Sequence, residues 1–125
     1  MDDQYPAPQE TQPAIVRMPD EIDIANAGRL VAELASACDS GVTLVVADMT
    51  GTTFCDASGA RMLVIAQKRA ADSGVELRAA VASARVRRVL IMLGLDKILQ
   101  IHPTVDAACD QDQRQDRTPR AKTNT

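Results

Sequence analysis

The stretch Asp48-Met49-Thr50-Gly51-Thr52-Thr53-Phe54-Cys55-Asp56-Ala57-Ser58-Gly59 decides how the chain is read. An apolar, largely β-branched run, Val42 to Ala47, leads into it, and a segment with helical periodicity leaves it at Ala60. A short run that is apolar at successive positions suits a strand buried on both faces. The stretch is therefore a strand-to-helix loop carrying two acids, one phenylalanine and a serine directly before a glycine.

Downstream, a helix is predicted from about Ala57 to Ser73, with Ala60, Leu63, Val64, Ala66 and Ala70 inward and Gly74 as its stop. Val75 to Val81 alternates at first, through Glu76 and Arg78, which predicts a strand covered less completely. Ser83 is placed to cap a third helix with Val86, Val89, Leu90 and Leu93 inward, ended by Gly94. Ile98 to Ile101 reads as a short strand, His102-Pro103 as a turn, and Thr104 to Cys109 as one or two helical turns.

Upstream, Ala14 to Met18 is a short strand closed by Pro19-Asp20. Ala27, Leu30, Val31, Leu34 and Cys38 then form one helical stripe, capped by Asp23 or Asn26 and stopped by Ser40-Gly41. Gly28 weakens that helix by roughly 1 kcal/mol against Ala.

The order is β-α-β-α-β-α-β-(α), which means a single α/β domain: a mostly parallel four- to five-stranded sheet with about four helices and right-handed crossovers. Its expected bounds are 14–109. Residues 1–13 hold three of the six prolines and read as a flexible leader; residues 110–125 mix charges with Gln, Thr and Asn and read as a disordered tail. In open parallel sheets the working surface lies at the carboxyl ends of the strands, where the 48–59 loop sits.

Composition narrows the function. With one Phe, one Tyr and no Trp, the core is aliphatic. A net charge of −3, without a basic patch interleaved with aromatics, argues against direct nucleic-acid contact. No apolar run of about 18 residues is present, so no membrane span is expected. Met1-Asp2-Asp3 opens the chain without a hydrophobic segment, unlike a secretory signal. Three widely spaced cysteines fit reduced thiols, and a cytoplasmic location is expected.

Asp56 is the natural N-cap of the second helix, which puts Ser58 near N2 among backbone N–H groups without helical partners. A phosphate there would meet the positive helix end, a contribution of about 0.3–1 kcal/mol, so modification should leave the domain folded. It would add a charge of about −1.5 to −2 beside Asp56 and Asp48. A tenfold loss of affinity requires only about 1.4 kcal/mol, and one close like-charge pair at an effective dielectric near 20 supplies up to about 4 kcal/mol. Ser58 is accordingly a candidate phosphorylation site. The structural alternative is that Asp56 and Ser58 only cap a helix and Gly59 only permits close packing.

Other chemistries find less support. A serine hydrolase lacks its elbow and has only His102 as a base. No Cys-x-x-Cys or His-x-x-x-His pair suggests a metal, and no cofactor is expected. No Gly-x-x-x-x-Gly-Lys-Ser/Thr loop supports nucleotide binding. Cys55 lies near a helix N-terminus, which lowers a thiol pKa, although a buried inert thiol is the simpler reading. Arg85, Arg87 and Arg88 fit a solvated helix face or an anion surface. Arg61, one turn beyond Ser58, is placed to meet a partner or a phosphate.

The 48–59 stretch resembles the signature loop of STAS domains, specifically anti-sigma factor antagonists: an acid ending a strand, then Ser/Thr, an aromatic, and Asp-Ser-Ser-Gly or a variant. Asp20-Glu21-Ile22-Asp23-Ile24-Ala25 is similar to the family's lead into the first helix. Ser83 to Leu90 resembles its third helix, and Leu93-Gly94-Leu95-Asp96-Lys97-Ile98-Leu99 its link to the last strand. The resemblance covers about 14–109. It implies a non-enzymatic regulator whose acceptor serine is Ser58. The kinase would be an anti-sigma factor serine kinase of the histidine-kinase-like ATPase fold, bound by the unmodified protein so that a sigma factor is released. A PP2C-type phosphatase would restore the modified form. Asp48, Thr50, Asp56 and Gly59 carry over as the acceptor's surroundings, with Asp23 as a neighbour. Ala57 stands where the family has the first of two serines, and Pro6, Pro8 and Pro13 interrupt a region where it often has an extra strand. Two alternatives stay open: a non-phosphorylated STAS scaffold and a nucleotide-binding STAS domain.

Overall fold

The computed structural model describes residues 12–110; residues 1–11 and 111–125, which hold most of the expected leader and tail, lie outside the described residues. The element order is β1 (Ala14–Arg17), β2 (Glu21–Ile22), α1 (Ile24–Cys38), β3 (Leu44–Met49), β4 (Phe54–Cys55), α2 (Ala57–Asp72), β5 (Glu76–Val81), α3 (Ala84–Met92), a 3-10 turn (Leu95–Lys97), β6 (Gln100–His102) and α4 (Val105–Cys109). Among the described residues, the main sheet has the order β1-β3-β5-β6 and is parallel throughout.

Each crossover steps the chain the same way across the sheet. With a constant hand, such crossovers put their helices on one face, and the core bears this out. Val45, Ala47 and Met49 of β3 and Leu77, Ala79 and Val81 of β5 pack with Leu30 and Leu34 of α1, Leu63 and Ala66 of α2, and Val86 and Leu90 of α3. The alternate residues Leu44, Val46 and Ala80 form a second cluster with Ala108 of α4. Both central strands are thus covered on two sides, as the apolar run before the loop predicts for β3.

Helix starts follow the capping residues. Asp23 caps α1, its Oδ1 accepting from Ala25 N at 3.0 Å while Asn26 Oδ1 accepts from Asp23 N at 3.1 Å. Ser83 caps α3 and Thr104 caps α4 through their hydroxyls. Gly74 and Gly94 follow α2 and α3 with φ of +74° and +83°, the left-handed turn-off that favours glycine.

Several expectations need correction. β3 starts at Leu44 and runs to Met49, so Asp48 belongs to the strand; its backbone is paired on both sides, with Arg17 and Ala80. The loop interior contains β4, which pairs in parallel with β2 (Glu21↔Phe54, Ile22↔Cys55). Val64 and Leu93, expected inward, are exposed, because the buried stripe of α2 passes through Met62 and Leu63 and α3 ends before Leu93. The last strand is shifted to Gln100–His102, because the 3-10 turn reaches Lys97 and Ile98 follows it as its cap. His102 is therefore in a strand, with Nε2 2.8 Å from Gln100 Oε1.

The largest correction concerns β5, which is buried almost throughout, including Arg78 at 0% exposure. Glu76 and Arg78 are polar residues turned under α4. Arg78 Nε donates to Glu76 Oε2 at 2.9 Å and Nη2 to Glu76 Oε1 at 3.2 Å. Its Nη1 donates to the carbonyls of Ala108 and Asp110, both at 2.9 Å. The planar guanidinium thus joins a strand carboxylate to the end of α4, where orphan carbonyls need donors. Arg78→Ala removes one partner of a buried pair and should cost about 3 kcal/mol in urea unfolding. Hydrogen exchange should show the amides of 105–110 opening before those of β3; uniform exchange in the variant would argue against a local role.

Candidate functional site

The segment from Asp48 to Gly59 is fixed from outside by the chain just after β1. Met18 N donates to Asp48 O at 2.9 Å, and Thr53 N to Asp20 O at 2.8 Å. Thr52, 1% exposed, turns its hydroxyl inward onto the Pro19 carbonyl at 2.8 Å. Asp48 Oδ1 accepts from Thr50 N at 3.0 Å and Thr50 Oγ1 at 2.6 Å, a local turn at the end of β3.

At the far end, Asp56 caps α2: its Oδ1 accepts from Ser58 N at 2.8 Å and Gly59 N at 3.3 Å. Ser58 sits at N2, half-buried. Its hydroxyl makes no hydrogen bond with the described residues, whereas those of Thr50, Thr52 and Thr53 all donate. Capping is done by Asp56 alone. The purely structural reading of Ser58 as a cap is therefore not what the site shows.

Gly59 explains how the helix start is held. A Cβ there would lie 2.4 Å from Cys55 Sγ and 2.9 Å from Ile22 Cγ2. Only a residue without a side chain lets α2 approach β2 and β4 this closely. Cys55 is buried beneath it, and desolvation, then the Asp56 carboxylate, pushes its thiol up to about 11. Burial outweighs any lowering by the helix start, and Cys55 is the inert thiol of the simpler reading.

Ser58 borders two shallow apolar grooves. The larger, about 580 Å³, runs between α2 and the segment after α3, past Val64, Ile65, Leu93 and Leu95. The other, about 360 Å³, lies between α1 and α2, past Ile24, Val31 and Ile65. Both are also lined by Arg61. Ile24 is 82% exposed and Leu93 52%, so this face presents large apolar side chains to solvent.

The structure thus gathers Ser58, Asp56, Gly59 and Arg61 on the first turns of α2. Asp23 is brought close through the bond from Asp56 N to Ile22 O at 3.4 Å. Asp48 and Thr50 lie at the other end of the loop and line neither groove. Ile24, Ile65 and Leu93 were not among the site residues expected from sequence. The signal for Ile65 was present: it is a β-branched apolar residue off the inward stripe of α2.

Residues 4–108 match the STAS domain family. The chain is a STAS domain. The match begins ahead of the boundary expected at Ala14. The fold is similar to that of an anti-sigma factor antagonist from Mycobacterium paratuberculosis, with 22% identity, 78% of this chain and 82% of that chain covered, and a TM-score of 0.69. It is also similar to the anti-sigma factor antagonist SpoIIAA in its unphosphorylated form, with 19% identity, 82% and 90% covered, and a TM-score of 0.66. A sulfate transporter family protein from Wolinella succinogenes shares it too, with 17% identity, 93% of each chain covered, and a TM-score of 0.71. At these identities the likeness is one of fold. No helix among the described residues is long and apolar enough to cross a membrane, and none of their His, Cys, Asp and Glu side chains group as a metal site.

Two outcomes follow from this packing. Gly59→Ala in the STAS domain should cost about 1–3 kcal/mol of stability. Cys55→Ala should recover part of that loss, so denaturant unfolding of the four forms should give a non-additive cycle. Separately, at about pH 8 the folded STAS domain should leave Cys55 unalkylated by iodoacetamide, because a thiol pushed up to about 11 is almost wholly protonated and buried. The half-buried Cys109 should react first, as peptide mass spectrometry would show.

Proposed function

We propose that this STAS domain is an anti-sigma factor antagonist, controlled by phosphorylation of Ser58. The observation that carries this reading is the Ser58 hydroxyl: it bonds to none of the described residues, is held at N2 by a cap that does not use it, and is set between two exposed apolar grooves. A partner that covers this face buries side chains such as Ile24, Ile65 and Leu93, each contributing up to about 1.5–3 kcal/mol. Ser58 then lies within the contact, where a charge is least tolerated.

The partner in this reading is an anti-sigma factor serine kinase of the histidine-kinase-like ATPase fold, bound by the unmodified domain so that a sigma factor is released. In the transfer, Ser58 Oγ attacks the γ-phosphorus of ATP held by the kinase. The bond from that phosphorus to the bridging oxygen breaks, ADP leaves, and the serine proton passes to a base on the kinase. A PP2C-type phosphatase reverses this by hydrolysis: water attacks the phosphorus, the bond to Ser58 Oγ breaks, and the hydroxyl is restored as inorganic phosphate leaves. In this reading Asp56 and Gly59 set the acceptor's position, and Asp23, directly after the Ile22 whose carbonyl accepts from Asp56 N, is a neighbour of the cap. Asp48 and Thr50 hold the other end of the loop, acting on Ser58 only through it.

Incubation with the cognate kinase and ATP should place one phosphate on Ser58, read by peptide mass spectrometry. Ser58→Ala should bind the kinase and escape the switch. Ser58→Glu should weaken binding at least about tenfold, a loss of about 1.4 kcal/mol. Phosphate on another residue, or binding unchanged by Ser58→Glu, would overturn the proposal; the latter result would favour a scaffold that does not switch.

A further inference from the structure

Arg61 stands out on the face around Ser58. It is the one ionisable side chain among the residues lining either groove, and both grooves contain it together with Ser58. It is exposed and forms no ion pair with the described residues. On the neighbouring helix α1, by contrast, Arg29 is committed to Glu33 at 3.0 Å. Ser58 and Arg61 are three residues apart on one helix, which puts their Cβ atoms roughly 5–6 Å from each other. A guanidinium on a long stem spans that gap to a phosphate, and its fork matches phosphate oxygens two at a time.

The acids nearby do not compete on equal terms. Asp56 Oδ1 is occupied by two backbone N–H groups, and Asp23 Oδ1 by Ala25 N. Both are carboxylates of single charge. A phosphoserine dianion one helical turn away is the stronger partner for Arg61.

We propose that Arg61 pairs with the phosphate on Ser58 within the same helix, so that modification withdraws a cation from the docking face while adding an anion to it. The inference rests on phosphorylation of Ser58 as proposed above. In the unmodified protein Arg61, which has no ion pair among the described residues, is open to a carboxylate of the partner. After transfer of the phosphoryl group from ATP to Ser58 Oγ, the new anion takes that cation, and the face loses attraction as well as gaining repulsion. The regulated partner surface therefore carries an acidic side chain opposite Arg61.

The pairing can be measured without any kinase. Phosphoserine is incorporated at position 58 during translation of the full chain, and the second ionisation of its phosphate is followed by phosphorus NMR across pH. With Arg61 present that ionisation should fall about half a pH unit or more below its value in Arg61→Gln, because a neighbouring cation favours the dianion. Arg61→Lys should give an intermediate value, and added salt should narrow the gap. Identical titrations in the wild-type and Arg61→Gln backgrounds would overturn the pairing. With the unphosphorylated domain, Arg61→Gln should bind the kinase several-fold more weakly; unchanged binding would overturn the withdrawn-cation part. If no variant binds the kinase while the titrations differ, the antagonist function fails and the Ser58–Arg61 pairing stands.

Discussion

The two central strands, β3 and β5, have no solvent-facing side, and the rest of the domain follows from that constraint. Their odd and even residues enter two different clusters, one under α1, α2 and α3 and the other under α4. Parallel strands need long crossovers, and those crossovers supply three helices to one face. The other face would be left wet without α4. Arg78 closes it by binding the carbonyls of Ala108 and Asp110 while Glu76 balances its charge. A buried guanidinium is a costly way to hold a short helix, and it works because every donor direction used meets an oxygen.

At the carboxyl end of β3 the same rigidity serves a different purpose. The loop is bonded to the Pro19–Asp20 segment, and the small β2–β4 ladder is pressed against Gly59. The start of α2 is therefore set by the Asp56 cap and by Gly59 packed against Ile22 and Cys55, and neither contact uses the Ser58 side chain. Asp56 takes the capping role and Ser58 is released from it. In the proposed switch, a hydroxyl that bonds to none of the described residues is modified with little effect on folding, while its setting between apolar grooves makes the same change large for binding.

The sequence was a good guide wherever a signal was local. Capping residues at Asp56 and Ser83 and the stops at Gly74 and Gly94 act over a few residues, and each is where the pattern predicts it; of the two candidates for the first cap, Asp23 takes the role. The β-α alternation and the loop's motif were equally readable, and the STAS resemblance agrees with the family match. The alternation through Glu76 and Arg78 misled, because a period of two reports polarity and says nothing of a partner far along the chain. Arg78 finds its carbonyls 30 and 32 residues away.

For the Asp48–Gly59 stretch, the sequence by itself determined that a buried strand passes through a loop into a capped helix, with Ser58 at N2. Tertiary structure alone decided what surrounds that serine. It placed Asp48 and Thr50 away from the grooves, turned Ile24, Ile65 and Leu93 outward, and left Arg61 as the single charge beside Ser58 in both grooves. The reason is geometric: a cap is set within one helical turn, whereas a groove belongs to the angle and spacing of whole helices. Those depend on contacts such as Gly59 against Ile22 and Cys55, which bring together residues distant in the chain.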